Sequence, residues 1–254
     1  MDYDVAVVGA GAAGIAAARR LLAAGRSVVL LEASDRAGGR AWTMELAGMP
    51  LDMGCGWLHS AERNPLVAIG KDANFTIEQG PTAWKTQWRD LGFPPSGQAA
   101  AEAAWNALDE RLRADPPASD RASDALEPDG RWNAYCNSLS GYMNGAALDR
   151  LSIADFLAYD NAASNANWRV HEGYGNLIAA ALPKVEVRLS TPVRSILPDG
   201  QRIRLATGRG QIKARAAIVT VSTNVLASGV IAFGAEVDDH LRQLLHPPAR
   251  ATGA

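Results

Sequence analysis

Apolar positions in the first forty residues fall into two short unbroken runs with a periodic segment between them. Val5 to Val8 is wholly apolar, and Ser27 to Leu31 is a second such run that ends at Glu32. Runs of this length without polar alternation predict strands covered on both faces, the pattern of a parallel sheet. Ile15 to Ala24 between them suits a helix, and Gly25 stops it. Strand, turn, helix and strand in this order predict a βαβ unit.

Strand-like runs return late in the chain, from Lys184 to Phe233. They are Val185 to Leu189, Pro192 to Leu197, Ile203 to Leu205 and Ala216 to Val221. Turn signals separate them, among them Pro198-Asp199-Gly200 and Gly208-Arg209-Gly210. The middle of the chain reads differently. A helix is predicted over Ala99 to Ala114, and a second over Ile153 to Tyr159 with Ser152 as its N-cap. The polar Pro/Ser/Asp stretch from Asp115 to Gly130 reads as an exposed loop. Trp84, Trp88, Trp105, Trp132 and Trp168 belong to this part or its edge, and ordinary core packing is expected for most of them. Lining of a pocket for a cationic amine is the alternative. Val237 to Leu245 opens as a helix, and the tail from His246 to Ala254 has no apolar period.

The joint between the first strand and the helix carries chemistry. It reads Gly9-Ala10-Gly11-Ala12-Ala13-Gly14, a G-x-G-x-x-G between strand and helix, with an acid, Glu32, at the end of the next strand. Gly9 permits the tight turn, Gly11 lets backbone approach a pyrophosphate, and Gly14 lets helix and strand pack closely. The helix N-terminus offers N–H groups and a positive dipole end to the phosphate. Glu32 is placed to accept from ribose hydroxyls and disfavours a 2′-phosphate, so NADP is not expected. The motif leaves NAD and FAD both open. Six residues later comes Gly38-Gly39-Arg40, a second backbone close approach followed by a guanidinium suited to phosphate oxygens.

Composition removes several classes. The 254 residues are 48% apolar with a net charge of −2, which gives no reason to expect nucleic acid or an anionic membrane surface. No run reaches the ~20 apolar residues of a membrane span. No secretory leader is seen at the start, and two cysteines make no disulfide framework, so a reducing, cytoplasmic setting is expected. Histidines, cysteines and acids do not cluster at metal-ligand spacing, and no Ser/His/Asp pattern stands out.

Taken together, these residues resemble the flavin-containing amine oxidase family, which includes the monoamine and polyamine oxidases. Gly9, Gly11, Gly14, Glu32 and Gly38-Gly39-Arg40 carry the resemblance. So do Leu51-Asp52-Met53-Gly54-Cys55-Gly56-Trp57-Leu58-His59, Val170 to Leu177, Thr191-Pro192-Val193, and Ala217 to Val221 followed by Leu226 and Phe233. Ser222 stands where the family often has proline.

The resemblance implies an α/β fold. A Rossmann-like FAD-binding domain of the GR2 type is formed from 1–62 and 184–235, with an inserted partial α+β substrate domain over 63–183 and a short helix and tail over 236–254. It implies FAD, with the loop from Gly9 through Ala13 to Gly14 on the pyrophosphate and Glu32 on the adenosine ribose. Arg40 would approach the pyrophosphate and ribityl side, Gly54, Gly56 and Trp57 would run past the flavin ring, and the Val193 main chain would meet adenine. His59 is the one catalytic candidate, with a structural role its even alternative; Cys55 is expected to be a small packed residue rather than a flavin attachment point.

The activity implied is oxidation of a small amine to an imine, with electrons passed to O2 to give H2O2. A desaturase or protoporphyrinogen oxidase relative, and a non-catalytic FAD-binding module, are the alternatives. The family continues with a lysine near the flavin, further substrate-domain sheet and a closing Gly-Glu segment. This sequence is expected to stop short of them, which puts its competence in question and leaves surfaces open to association.

Overall fold

The computed structural model describes residues 2–80, 82 and 94–245. Trp84, Trp88 and the tail 246–254 lie outside the described residues. The chain divides into two compact units, one of 2–58, 62–79 and 168–245, the other of the described residues of 59–61 and 80–167. The second of these units falls mostly within 63–183, the stretch expected to be an insert.

The first unit is built on a seven-stranded sheet. Its strands are β1 (Asp2–Val8), β2 (Val28–Leu31), β7 (Glu186–Arg188), β8 (Val193–Asp199), β9 (Arg202–Thr207), β10 (Gly210–Val219) and β11 (Ala232–Phe233). Their order is β11-β8-β9-β10-β1-β2-β7. The β10-β1-β2-β7 portion is parallel, whereas β8, β9 and β10 form an antiparallel meander. Alternate residues of the central strands go to opposite faces. Ala6, Val8, Val29 and Leu31 join one apolar cluster, and Val7, Val28 and Leu30 join another with Ala18 of helix α1 (Ala12–Ala23). Both faces are covered, which is why these runs have no polar alternation; each buried Val or Leu contributes about 1.5–3 kcal/mol.

Two segments that pattern reading leaves unassigned belong to this unit. Helix α2 (Pro65–Asp72) starts because Asn64 accepts from Leu66 N at 3.0 Å and Pro65 presets the first turn. Short strands β5 (Ile77–Glu78) and β6 (Arg169–Val170) pair antiparallel. A hairpin, β3 (Thr43–Leu46) and β4 (Met49–Asp52), leaves the sheet just after Arg40. Its partners alternate, so Met44, Leu46, Met49 and Leu51 share one face, continued by Trp42 and Met53; all six are exposed. Helix α6 (Tyr174–Ala180) follows the Gly-rich turn, and α7 (Thr223–Ala227) begins where Ser222 Oγ accepts from Val225 N. Ser222 thus caps a helix in the place where proline was anticipated. The turn at Pro198-Asp199-Gly200 falls later than expected: β8 continues through Asp199, and Gly200 makes the turn. The last helix, α8, spans Ala235–Leu245.

The second unit is helical. Helices α3 (Pro95–Ala114), α4 (Asn133–Asn144) and α5 (Ile153–Ala162) surround Leu108, Leu112, Cys136, Leu148 and Ile153. Trp105 packs on this cluster, as core packing would have it. The stretch Asp115 to Gly130 is largely the exposed loop that its polarity predicts, except at its centre. Its centre makes a 3-10 turn, Ala122–Ala125, with Ala122 and Ala125 buried in the same cluster. Arg111 Nε donates to Ala125 O at 2.6 Å and Ala122 N to Leu151 O at 3.0 Å, so backbone groups of this stretch are satisfied inside the unit. Helix α5 starts as read, with Ser152 Oγ accepting from Asp155 N, and runs three residues further.

Candidate functional site: a glycine-lined cleft at the strand ends

Where β1 and β2 end, the backbone folds into a tight cradle. Gly9 has φ +106 and its N–H donates to Leu31 O; a Cβ there would meet Thr220 Oγ1 at 2.7 Å. A Cβ on Gly14 would overlap Gly9 O, so the helix lies directly on the turn. Gly38 N donates to Ala10 O at 2.8 Å, Gly11 and Gly38 form a parallel bridge, and a Cβ on Gly39 would be 3.1 Å from Gly11 Cα. The second glycine pair is thus laid against the first loop, backbone on backbone. A Cβ on Gly54 would overlap Arg40 O, and Cys55 N donates to that same carbonyl at 3.2 Å, which brings the far end of the hairpin beside the cradle.

These contacts open onto a cleft of about 1020 Å³, at the top of the ~300–1,000 Å³ range of small-molecule sites. Gly9, Gly11, Ala13, Glu32, Arg40 and Gly54 line it. Val193 lines it too, next to a register shift in which Arg194 stands opposite no residue of β9. The N-terminus of α1 faces the cleft through Ala12 and Ala13, with Gly11 as an N-cap that offers no side chain and with no acidic residue in the first turn. Its N–H groups and dipole end are available to an anion.

Glu32 lines the cleft while bracing its floor. Oε2 accepts from Ala10 N at 2.7 Å, and Oε1 accepts from Ser34 N and its hydroxyl at 2.9 and 2.7 Å. A carboxylate has about four acceptor positions, so one remains for a ligand hydroxyl.

Four of the residues singled out from sequence do not line the cleft. Gly14 acts through packing. Gly56 lies against Asp52, where a Cβ would be 3.1 Å from Asp52 Cβ. Trp57 is stacked by the Arg169 guanidinium at 5.0 Å. His59 belongs to the second unit, where its Nδ1 and the Asn167 amide oxygen are 2.6 Å apart. Cys55 is exposed and lines the cleft rather than packing, because the hairpin carries its backbone along the rim.

Sequence reasoning missed three contributors. Arg36 lines the cleft, donates to Gly39 O at 2.8 Å and lies 4.9 Å over Trp42, stapling the glycine pair. Thr220 Oγ1 donates to Val8 O and Gly9 O, fixing the loop to the end of β10. Tyr174 at the start of α6 lines the cleft. Burial pushes its phenol above the ordinary range, helped by the Cys55 and Asp52 charges. A hydroxyl residue just past the strand that pairs with the phosphate-loop strand was the available signal for Thr220.

The family profile for flavin containing amine oxidoreductases matches residues 12–108 and 96–251. The chain belongs to that family. Among curated relatives, pseudooxynicotine dehydrogenase of Pseudomonas sp is 27% identical over 270 aligned residues, covering 89% of this chain and 53% of that protein. Putrescine oxidase of Kocuria rosea is 49% identical over 69 residues, 27% of this chain and 14% of that one. A solved structure of putrescine oxidase bound to putrescine superposes with a TM-score of 0.63 at 20% identity, covering 92% of this chain and 60% of that chain. The fold is therefore the amine oxidase fold, and the cofactor class of this flavin-containing family is a flavin. The chain spans about half the length of pseudooxynicotine dehydrogenase. Among the described residues no helix is long and apolar enough to cross a membrane.

Proposed function

We propose that this chain binds FAD in the glycine-lined cleft and serves an amine oxidoreductase reaction, the oxidation of a small amine to an imine with O2 as electron acceptor. The observation that carries the reading is the double cradle: Gly11 and Gly39 lie backbone against backbone and both line the cleft, beside an α1 N-terminus with no acidic residue in its first turn. Glu32 takes a ribose hydroxyl with its remaining acceptor position, and Val193 offers main chain to the adenine. Arg40, exposed on the cleft wall, neutralises pyrophosphate charge. Gly54 and Cys55 run past the ring end, where Tyr174 and Met53 exclude water.

When bound, the flavin supplies the hydride-accepting group and the path to O2. The amine must reach it neutral, with its nitrogen lone pair free. His59, which does not line the cleft, is the side chain proposed for the amine on the family resemblance alone. The amine class is supported by relatives named as putrescine and polyamine oxidases.

The test is reconstitution. Purified protein titrated with FAD should acquire a bound flavin spectrum, with NAD and NADP failing to compete. Protein that stays colourless and gives no titration signal would overturn the cofactor reading. Flavin-loaded protein is then mixed anaerobically with putrescine, spermidine and aromatic monoamines. Bleaching by an amine, followed by peroxide on admission of air, supports the reaction; retained flavin with no bleaching by any amine overturns it. Replacing His59 by Asn should leave flavin binding unchanged and slow the bleaching.

A further inference from the structure

Helix α6 is not capped by its own sequence. Its N-cap, Gly173, has φ +96 and no side chain to offer. The first N–H groups are taken up instead by the hairpin, more than 120 positions away. Tyr174 N donates to Asp52 Oδ2 at 2.9 Å, Gly175 N to Asp52 Oδ1 at 3.2 Å, and Asn176 N to Thr43 Oγ1 at 3.2 Å. Thr43 Oγ1 in turn donates to Asp52 Oδ1 at 2.5 Å. Thr43 and Asp52 are cross-strand partners on the face of the hairpin opposite Met44 and Leu51.

Glycines make this approach possible on both sides. A Cβ on Gly173 or Gly175 would overlap Thr43, and one on Gly56 would crowd Asp52 at 3.1 Å. Three glycines from two distant segments therefore converge on one Thr–Asp pair. An ionised carboxylate here accepts from two backbone N–H groups and sits at the positive end of the helix, so the bonds are charge-assisted. Asparagine at this position keeps one acceptor and turns a second donor toward an N–H.

The consequence falls on the cleft. Tyr174 is the first residue of α6, and Met53, Gly54 and Cys55 follow Asp52 directly; all four line the cleft. We propose that Asp52 is a positioning residue, whose carboxylate locks α6 to the hairpin and so holds Tyr174 against the ring end of the flavin cleft. The second half of this statement rests on the flavin reading above; the first half does not.

Two measurements separate the halves. In the flavin-free protein, amide hydrogen exchange is followed at 174–176. Asp52→Asn should speed exchange there about tenfold or more, while β1 and β2 amides keep their protection. Unchanged exchange at 174–176 overturns the lock, whether or not flavin binds. In FAD-loaded protein, Asp52→Asn should weaken flavin binding about tenfold and alter the visible circular dichroism of the flavin. Tyr174→Ala should produce the same spectral change, and the double variant should be no worse than either single one. Additive losses would mean that Asp52 acts on general stability and not through Tyr174, and would overturn the positioning role. Wild-type protein that takes up no FAD would count against the flavin reading alone, and the exchange experiment would still decide the lock. Thr43→Val, which removes the hydroxyl that links Asp52 to Asn176, guards against an Asp52 variant that fails to fold: it should reproduce the exchange effect in weaker form.

Discussion

In the sheet unit the cleft is packed backbone on backbone: Gly14 on Gly9, Gly11 on Gly39, Gly54 on Arg40. In the helical unit the packing is side chain on side chain, with Leu108, Leu112, Leu148 and Ile153 closing over Ala122 and Ala125. Glycines are present there too, but Gly141 and Gly145 have nothing within 4 Å of where a Cβ would stand. Side chains can shift by a rotamer when a neighbour changes, whereas a peptide carbonyl held in a strand end cannot move without moving the strand. The first unit should therefore fail at single methyl groups, and the second should respond in proportion to the volume removed.

The largest contrast comes from one substitution made twice. Gly14→Ala places a methyl into Gly9 O and beside Thr220 Oγ1. It is expected to cost at least about 3 kcal/mol and to abolish flavin uptake, since the loop must open to accept it. Gly141→Ala, at an exposed position in the last turn of α4, should stabilise by up to about 0.5–1 kcal/mol. Urea unfolding of both variants, with FAD titration of each, measures the pair. Equal tolerance at the two positions would remove the distinction.

Leu108→Ala comes next. Leu108 is 1% exposed at the centre of the helical cluster, so its truncation leaves a cavity worth about 2–4 kcal/mol. Hydrogen exchange should rise in α3, α4 and α5 while the protection of β1 and β2 is retained, because the lost contacts lie within one unit. Ser152→Ala removes the N-cap of α5 and the bond from Ser152 Oγ to Asp120 Oδ2. About 1 kcal/mol is expected, read as earlier urea unfolding with local exchange at 153–156.

How much of this was legible in the sequence follows the same division. Gly9, Gly11, Gly14, Gly38 and Gly39 could be assigned because close backbone approach admits no other residue, and the two buried strands because their runs lack polar alternation. Arg36 and Thr220 escaped because they act by donating to backbone carbonyls, a task open to many polar side chains. Helix α4 escaped because its buried positions are Cys136 and Ser140, too few and too small to mark an apolar stripe. The turn at Ala122 and Ala125 looked exposed because small residues bury well yet barely register among charged neighbours. Asp52 stood in plain view within a family-like segment. Its bonds to Tyr174 and Gly175, however, cross 122 and 123 positions, and no local pattern encodes them.

The smallest expected effect lies at the sheet edge, away from both kinds of packing. Tyr3 on β1 and Glu186 and Arg188 on β7 meet across the end of β2: the Tyr3 hydroxyl donates to Glu186 Oε2 at 2.6 Å, and Arg188 Nε donates to Glu186 Oε1 at 2.9 Å. The Tyr3 bond, then the Arg188 bond, holds the Glu186 carboxyl below its ordinary 4.5. A carboxylate whose value is depressed on folding contributes its stability fully above the unfolded value and loses it as pH falls through the folded one. Burial, then the Glu186 bond, raises the Tyr3 phenol above 10.0, so its contribution persists up to that pH and is lost only beyond. The cluster therefore stabilises across a plateau from about pH 4.5 to 10. Arg188 and Glu186 side chains are 37% and 41% exposed, which caps the effect at about 1 kcal/mol. Glu186→Gln should lower the melting temperature by a few degrees at pH 7 and flatten its fall below pH 4.5, leaving FAD affinity unchanged. An acid limb as steep in the variant as in the wild type would assign that loss to other carboxylates, Asp4 among them, whose bonds to Ser27 depress it in the same direction.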